Sequence, residues 1–403
     1  GPGGGPGPLL GGCAAPPPGA APPSRRGPAD PAPPGRRYRK EPSIPLRSTP
    51  PALYNNLSVL RLPGGPPPAL SAVHGPSLSL LSAPPDGLGF SQRQLQPKEG
   101  GMAVSTSLLT QAAWCVLPAR VLLPPPSQRG IQMYESDGSI MVYWHALDVA
   151  EHSPARAVFA RGIAAAGERP PCVGTSSGLV LVFDIPPKGT NVTLSDVLPP
   201  HRDAITDIAA ELGQAPAGAG DLVTPPDAGT LCVWSTGEEF APPSKIPAFG
   251  CPPPSVKLWN GIVAAGYGPP QIRLYEAATG LPRAEPPPHA RWIYALDVAP
   301  QTPPLRPCRP AAPGPQPTHP PPPSLPSQLL SGAEDSPPHV WQLSRNPDTG
   351  EVVTPPVPAQ IEHRHAECVT DTQVCGAPPP DPEGNSFAVT GYDLTPPFRY
   401  SRV

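Results

Sequence analysis

Apolar and polar residues alternate over short runs along most of this chain, and turn residues interrupt the alternation at regular intervals. Leu57-Ser-Val-Leu-Arg-Leu62 reads as a half-buried strand. Ala112 to Val116, Arg120 to Leu123, Gly130 to Tyr134 and Met141 to His145 read as a set of four strands, with Gly, Ser and Pro between them. Helical periodicity is absent. The pattern predicts an all-β protein whose strands fall into seven sets, over 53–96, 107–148, 155–198, 199–248, 252–285, 289–347 and 361–403.

One phrase recurs within those sets. It runs His-x-x-x-Ile/Val, an apolar strand, a small hydroxyl residue, an Asp and a closing aromatic. The copies begin at His201, His289 and His365 and pass through Thr224 and Asp227, Ser331 and Asp335, and Thr390 and Asp393. They close on Trp234, Trp341 and Tyr400. The middle copy is stretched by a proline-rich segment, Pro300–Ser327. A repeat of about 40 residues built from strands and turns is the signature of a β-propeller blade, which buries its faces only by stacking on its neighbours. The last set ends soon after its third strand, so the ring needs a strand from the other end of the chain. Leu57 to Leu62 has the alternation to be that strand, and closing the ring removes an exposed edge. Pro337-Pro338 stands directly before His339-Val340-Trp341, where a missing ladder donor is expected to distort the hairpin.

These residues resemble the WD-repeat family of β-propellers. The resemblance covers residues 41–403 and extends to whole phrases: NNLSVL at 55–60, RGIQMYES at 129–136, MVYWHALD at 141–148, VLVFDIP at 180–186 and NSFAVTGYDL at 385–394. It implies a seven-bladed propeller and hydrogen-bonded tetrads, His201/Thr224/Asp227/Trp234, His289/Ser331/Asp335/Trp341 and His365/Thr390/Asp393/Tyr400. The physical logic is general, since buried imidazoles and carboxylates need partners. The chain departs from the family pattern in lacking the Trp-Asp dipeptide. Phe183-Asp184 is nearest, Tyr400 replaces a tryptophan, and aromatic-acid endings occur as Tyr134-Glu135 and Tyr275-Glu276. Trp341-Gln-Leu-Ser-Arg345 lacks the Asp and the Arg spacing of ubiquitin-ligase receptor propellers, and no basic FRRG-like loop of the phosphoinositide-binding type occurs. The resemblance implies a non-catalytic intracellular adaptor that binds proteins or peptides, cytoplasmic and linked to signalling or vesicle traffic.

Composition narrows the picture. Of 403 residues 75 are proline, far more than a packed domain uses. Residues 1–40 are Gly, Pro, Ala and Arg and read as a disordered leader, with Arg36-Arg37-Tyr38-Arg39-Lys40 as a solvated basic tail rather than a nuclear signal. A net charge of −3 and the lack of a basic aromatic stripe argue against nucleic acid as a partner. No apolar run is long enough for a transmembrane helix. The eight scattered cysteines, several inside apolar runs, read as buried thiols rather than a disulfide framework.

Three strings suggest chemistry and are better explained without it. Gly174-Thr-Ser-Ser-Gly178 matches GxSxG, but a nucleophile elbow needs a helix after it and Leu179 to Phe183 reads as a strand. His363, His365, Cys368 and Cys375 are possible zinc ligands at a spacing unlike structural zinc sites, so no metal is expected. The glycines of the first residues follow no strand and precede no helix, so they make no phosphate loop. No cofactor is expected. The alternative to a scaffold is a hydrolase built on the propeller with a site in its central channel. The sequence offers no convergent residues for it.

Overall fold

In the computed structural model of the chain the described residues are 36–40, 53–60, 69–82, 91–96, 107–147, 159–165, 170–198, 203–213, 215–225, 228–237, 239–247, 249–268, 271–286, 289–299, 327–334, 338–346, 349–355, 359–361, 369–374, 386–391 and 398–402. Every element among them is a strand. The first, β1, is Arg36–Lys40. Six four-stranded sheets follow, each meandering in chain order. Blade one holds β2 (Leu57–Leu60), β3 (Ala69–His74), β4 (Ser77–Ser82) and β5 (Ser91–Leu95), and blade two β6 (Cys115–Val116), β7 (Val121–Leu123), β8 (Gly130–Glu135) and β9 (Met141–Ala146). Blade three holds β10 (Ala160–Ala164), β11 (Cys172–Thr175), β12 (Val180–Asp184) and β13 (Thr193–Leu198). Blade four holds β14 (Ala209–Ala210), β15 (Leu222–Thr224), β16 (Leu231–Thr236) and β17 (Phe240–Ile246). Blade five holds β18 (Ser255–Trp259), β19 (Ile262–Gly266), β20 (Ile272–Glu276) and β21 (Pro282–Ala284). Blade six holds β22 (Ile293–Val298), β23 (Ser327–Ala333), β24 (His339–Arg345) and β25 (Val352–Val353).

The seventh sheet is different. It has five strands in the order β26 (Ala359–Ile361), β1, β29 (Phe398–Arg402), β28 (Ser386–Gly391) and β27 (Val369–Val374). The seven expected sets therefore correspond to six regular blades and one composite sheet.

That sheet corrects the expected closure. Leu57–Leu60 is the first strand of blade one and pairs with β3, from Leu57 opposite Ala72 to Leu60 opposite Ala69. The strand from the amino-terminal end is β1, antiparallel to β29 with Lys40 opposite Tyr400, and parallel to β26 with Arg36 opposite Ala359. Arg36–Lys40, assigned above to a disordered leader, is a strand hydrogen-bonded along both edges. Its bulky, charged sequence has no apolar alternation to advertise this. Backbone pairing on two sides supplies the order.

The core lies between blades rather than within one. Val223, Val233 and Ile246 of blade four pack with Val256, Leu258, Val263 and Tyr275 of blade five. Trp259, Ile262 and Leu274 of blade five pack with Ile293, Leu296, Leu329 and Trp341 of blade six. Equivalent clusters join blades one to two, two to three and three to four. A middle strand packs on both faces, so β19 and β23 are buried at every position. The outer strands β5 and β13 are mostly exposed. At about 25 cal/mol per Å2 of apolar surface, this stacking is the main driving force for the ring.

Local chemistry fixes the hairpins. Asn260 and Gly261 join β18 to β19 with φ of 46° and 73°, the two positive values that a two-residue hairpin turn demands. The feared distortion at Pro337-Pro338 does not reach the ladder, because Pro338 precedes β24 and pairing from Ser327/Leu343 to Ser331/His339 is unbroken. Pro242 and Pro243 lie in outer strand β17, where the register against β16 shifts between Val233 and Ser235. An edge strand tolerates the missing donors.

Candidate functional site

The polar groups named from the repeat lie inside the blades. In blade four Trp234 Nε1–H donates to Thr224 Oγ1 at 2.8 Å, with both residues buried. His201 and Asp227 lie outside the described residues. In blade six Ser331, 0% exposed, serves two rings. Trp341 Nε1–H donates to its Oγ at 3.2 Å, and His289 Nε2 lies 2.7 Å from it. His339 stacks flat on His289 with centroids 4.1 Å apart and meets Trp341 edge-on. Asp335 lies outside the described residues. In the last sheet Thr390 and Tyr400 fall on β28 and β29, while His365 and Asp393 lie outside the described residues.

The GxSxG string is a hairpin turn. Thr175 ends β11, Gly178 takes φ of 85°, and β12 begins at Val180. Thr175 Oγ1 accepts from Leu179 N at 3.0 Å, and Ser176 Oγ accepts from Phe159 N at 2.8 Å. A strand follows where an elbow would place a helix, and the hydroxyls hold the turn.

Among the described residues no cluster of three His, Cys, Asp or Glu is arranged for a metal. His363, His365, Cys368 and Cys375 lie outside them. Cys115, Cys172, Cys232 and Cys251 are buried. Burial pushes the thiols of Cys115 and Cys172 up to about 12, so neither is a nucleophile near neutral pH.

Several polar residues that the sequence did not single out join one blade to the next. Glu211, buried at the end of blade four's inner strand, accepts from Asn260 N at 2.5 Å and Gly261 N at 3.0 Å, clamping the next blade's turn. Asp207 Oδ2 accepts from Val256 N at 3.0 Å. Burial raises its carboxyl above 3.8, against the pull of Lys257 and Arg161. The glutamates of the two aromatic-acid endings pair with arginines. Glu135 meets Arg120 at 2.6 Å, and Glu276 meets Arg283 at 3.2 Å and Arg345 at 2.8 Å. Arg120 also reaches Gly189 O of blade three at 2.8 Å, and Arg345 reaches Asn260 O of blade five at 2.6 Å. Arg345 is thus a tie between blades.

Side chains of blades three and six meet at Tyr54. A bulge in β10 shifts the register between Ala160 and Ile163, with Gly162 at φ of 87°. Such bulges re-aim side chains, and here the Arg161 guanidinium lies 3.9 Å from the Tyr54 ring centre. Arg161 Nη2 donates to Tyr54 O at 3.2 Å. Tyr54 stacks on Tyr294 of blade six at 5.6 Å, and Asn55 Nδ2 donates to Pro254 O at 3.0 Å. Two residues ahead of blade one thereby touch blades three and six and the approach to blade five. No sequence rule marks Tyr54 for this, because its partners lie far away along the chain.

Known proteins resemble this chain in sequence and, separately, in fold. The WDR54 family model matches residues 37–306 and 324–403, and the unmatched gap falls inside the proline-rich segment. WD repeat-containing protein 54 of Mus musculus is 52% identical over 366 residues, which is 91% of this chain and 100% of the relative. The Homo sapiens protein of the same name is also 52% identical over the same shares, and WD repeat domain 54 of Rattus norvegicus is 51% identical. A chain in the crystal structure of the mitotic checkpoint complex superposes with a TM-score of 0.56 at 13% identity, over 95% of this chain and 97% of that one. This last likeness concerns the fold alone.

Proposed function

Since this chain belongs to the WDR54 family of WD-repeat proteins, we propose that it is a non-catalytic scaffold whose loop-bearing faces hold protein or peptide partners. The observation that carries the reading is the internal use of its reactive residue types. Ser331 and His289, which resemble parts of a catalytic set, are 0% and 2% exposed, and the Ser331 hydroxyl bonds both His289 and Trp341. Their chemistry is spent on rigidity. A rigid ring with loops at both ends of its blades presents recognition surfaces with little cost of ordering. A cytoplasmic setting, linked to signalling or vesicle traffic, extends this proposal. Among the described residues no helix is long and apolar enough to cross a membrane.

The test is affinity capture with the full chain, followed by a binary binding assay between purified chain and each captured protein. Saturable binding to at least one partner supports the scaffold. Turnover of generic esters that disappears in Ser176→Ala, with no binary partner found, overturns it.

A further inference from the structure

The first strands of the blades enclose the centre of the ring. β10, β14, β18 and β22 touch in succession, and β22, β27 and β2 carry that succession across the closure. Blades three and six stand three places apart among the seven sheets. A side chain that reaches both therefore lies at the enclosed centre or its mouth, not between neighbouring blades. Tyr54 reaches both, with the Arg161 guanidinium of blade three over its ring and Tyr294 of blade six stacked against it.

The contacts around Tyr54 define a chemistry. A cation on one side and a ring on the other favour an aromatic group between them. Arg161 Nη2–H donates to Tyr54 O at 3.2 Å, and Asn55 Nδ2 donates to Pro254 O at 3.0 Å. The centre of the ring thus recognises an aromatic side chain, the carbonyl of that residue and a carboxamide on the next. The segment that supplies all three is lightly held. β2 begins only at Leu57, so Tyr54 and Asn55 stand ahead of its ladder. The nearest backbone bond to blade one is Val73 N donating to Asn56 O at 2.8 Å. Tyr54 and Tyr294 are both half-buried, so solvent reaches the stack.

We propose that residues 53–56 are a strap whose Tyr54 fills, from within the chain, a site for an aromatic residue followed by Asn or Gln in an extended peptide of a protein partner. Strap and partner compete. The peptide's ring enters between Arg161 and Tyr294 as Tyr54 withdraws, its carbonyl accepts from Arg161, and its carboxamide donates to Pro254 O. The strap sets a threshold, because a tethered competitor acts at an effective concentration on the order of millimolar. This rests on the scaffold reading and makes one of its binding sites self-covered.

The probe is a capped, fluorescein-labelled peptide with the sequence of residues 51–58, measured against the full chain by fluorescence polarisation. It should bind the wild type weakly and Tyr54→Ala at least about tenfold more tightly, since the vacated site has no tethered competitor. Adding Arg161→Met to Tyr54→Ala should weaken binding about tenfold, the value of one hydrogen bond. Alanine in place of the peptide's tyrosine should abolish binding, and Ile140→Ser, at an exposed residue of the β8–β9 hairpin, should change nothing. If Tyr54→Ala is unfolded at the assay temperature, Tyr54→Leu removes the ring, keeps apolar bulk and gives the same comparison. Equal affinity for wild type and variant puts the peptide elsewhere and overturns the site. Binding to the variant with none to the wild type means that Tyr54 never withdraws, and binding to neither means that it is a structural plug. Both overturn the exchange and leave the scaffold standing, because affinity capture tests the scaffold separately.

Discussion

Ser331 carries more than its size suggests, because one hydroxyl serves rings arriving from two directions. Replacing it with alanine removes the acceptor of a buried indole N–H and the partner of a buried imidazole, at about 1–3 kcal/mol for each group left unsatisfied. Ser331→Ala should therefore destabilise the protein by about 2–4 kcal/mol in chemical unfolding. A loss under about 0.5 kcal/mol would show that the two rings find other partners. Asp207 gives a different readout. Its folded-state pKa stands above 3.8, so in the window above that value the folded chain holds more protons than the unfolded one. Stability contributed by this group is therefore present at low pH and falls as pH rises through the window. Asp207→Asn, which has no charge to desolvate, should gain on the wild type as pH rises above 3.8 in urea unfolding. Parallel curves would mean that Lys257 and Arg161 already balance the burial.

At the scale of the element, β1 decides whether the ring shuts. It fills the gap between β29 and β26, so its removal bares two strand edges at once. A chain lacking residues 1–35 should remain a soluble monomer in size-exclusion chromatography. One lacking residues 1–40 should lose most of its monomer to aggregate. Equal monomer yields would show that β26 closes onto β29 unaided. The middle strands were readable from the sequence because they sit between two packed faces and are apolar throughout, as in Ile262–Gly266. β1 was not, because it is selected by its two backbone partners, and Arg-Arg-Tyr-Arg-Lys carries no burial signal. Pro338 misled for a related reason. One residue decides whether proline removes a ladder donor or merely precedes the strand, and only the register records which.

For the whole molecule, the proline-rich segment between β22 and β23 lies outside the described residues. Val298 and Leu329 pair directly across its base. Deleting residues 307–323, the part that the family model leaves unmatched, should leave the ring folded and change its stability by less than about 1 kcal/mol, since loop closure depends only weakly on length. A large drop in melting temperature would assign that segment a packing role. The sequence by itself determined the all-β class and the repeated blades, because alternation and short-range spacing encode what each blade buries. Tertiary structure alone decided which strand closes the ring, which carboxylates clamp neighbouring blades, and that Tyr54, Arg161 and Tyr294 meet. Those choices depend on residues brought together around a ring, such as Arg161 and Tyr54 or Glu211 and Asn260, whose separation along the chain leaves no local pattern to read.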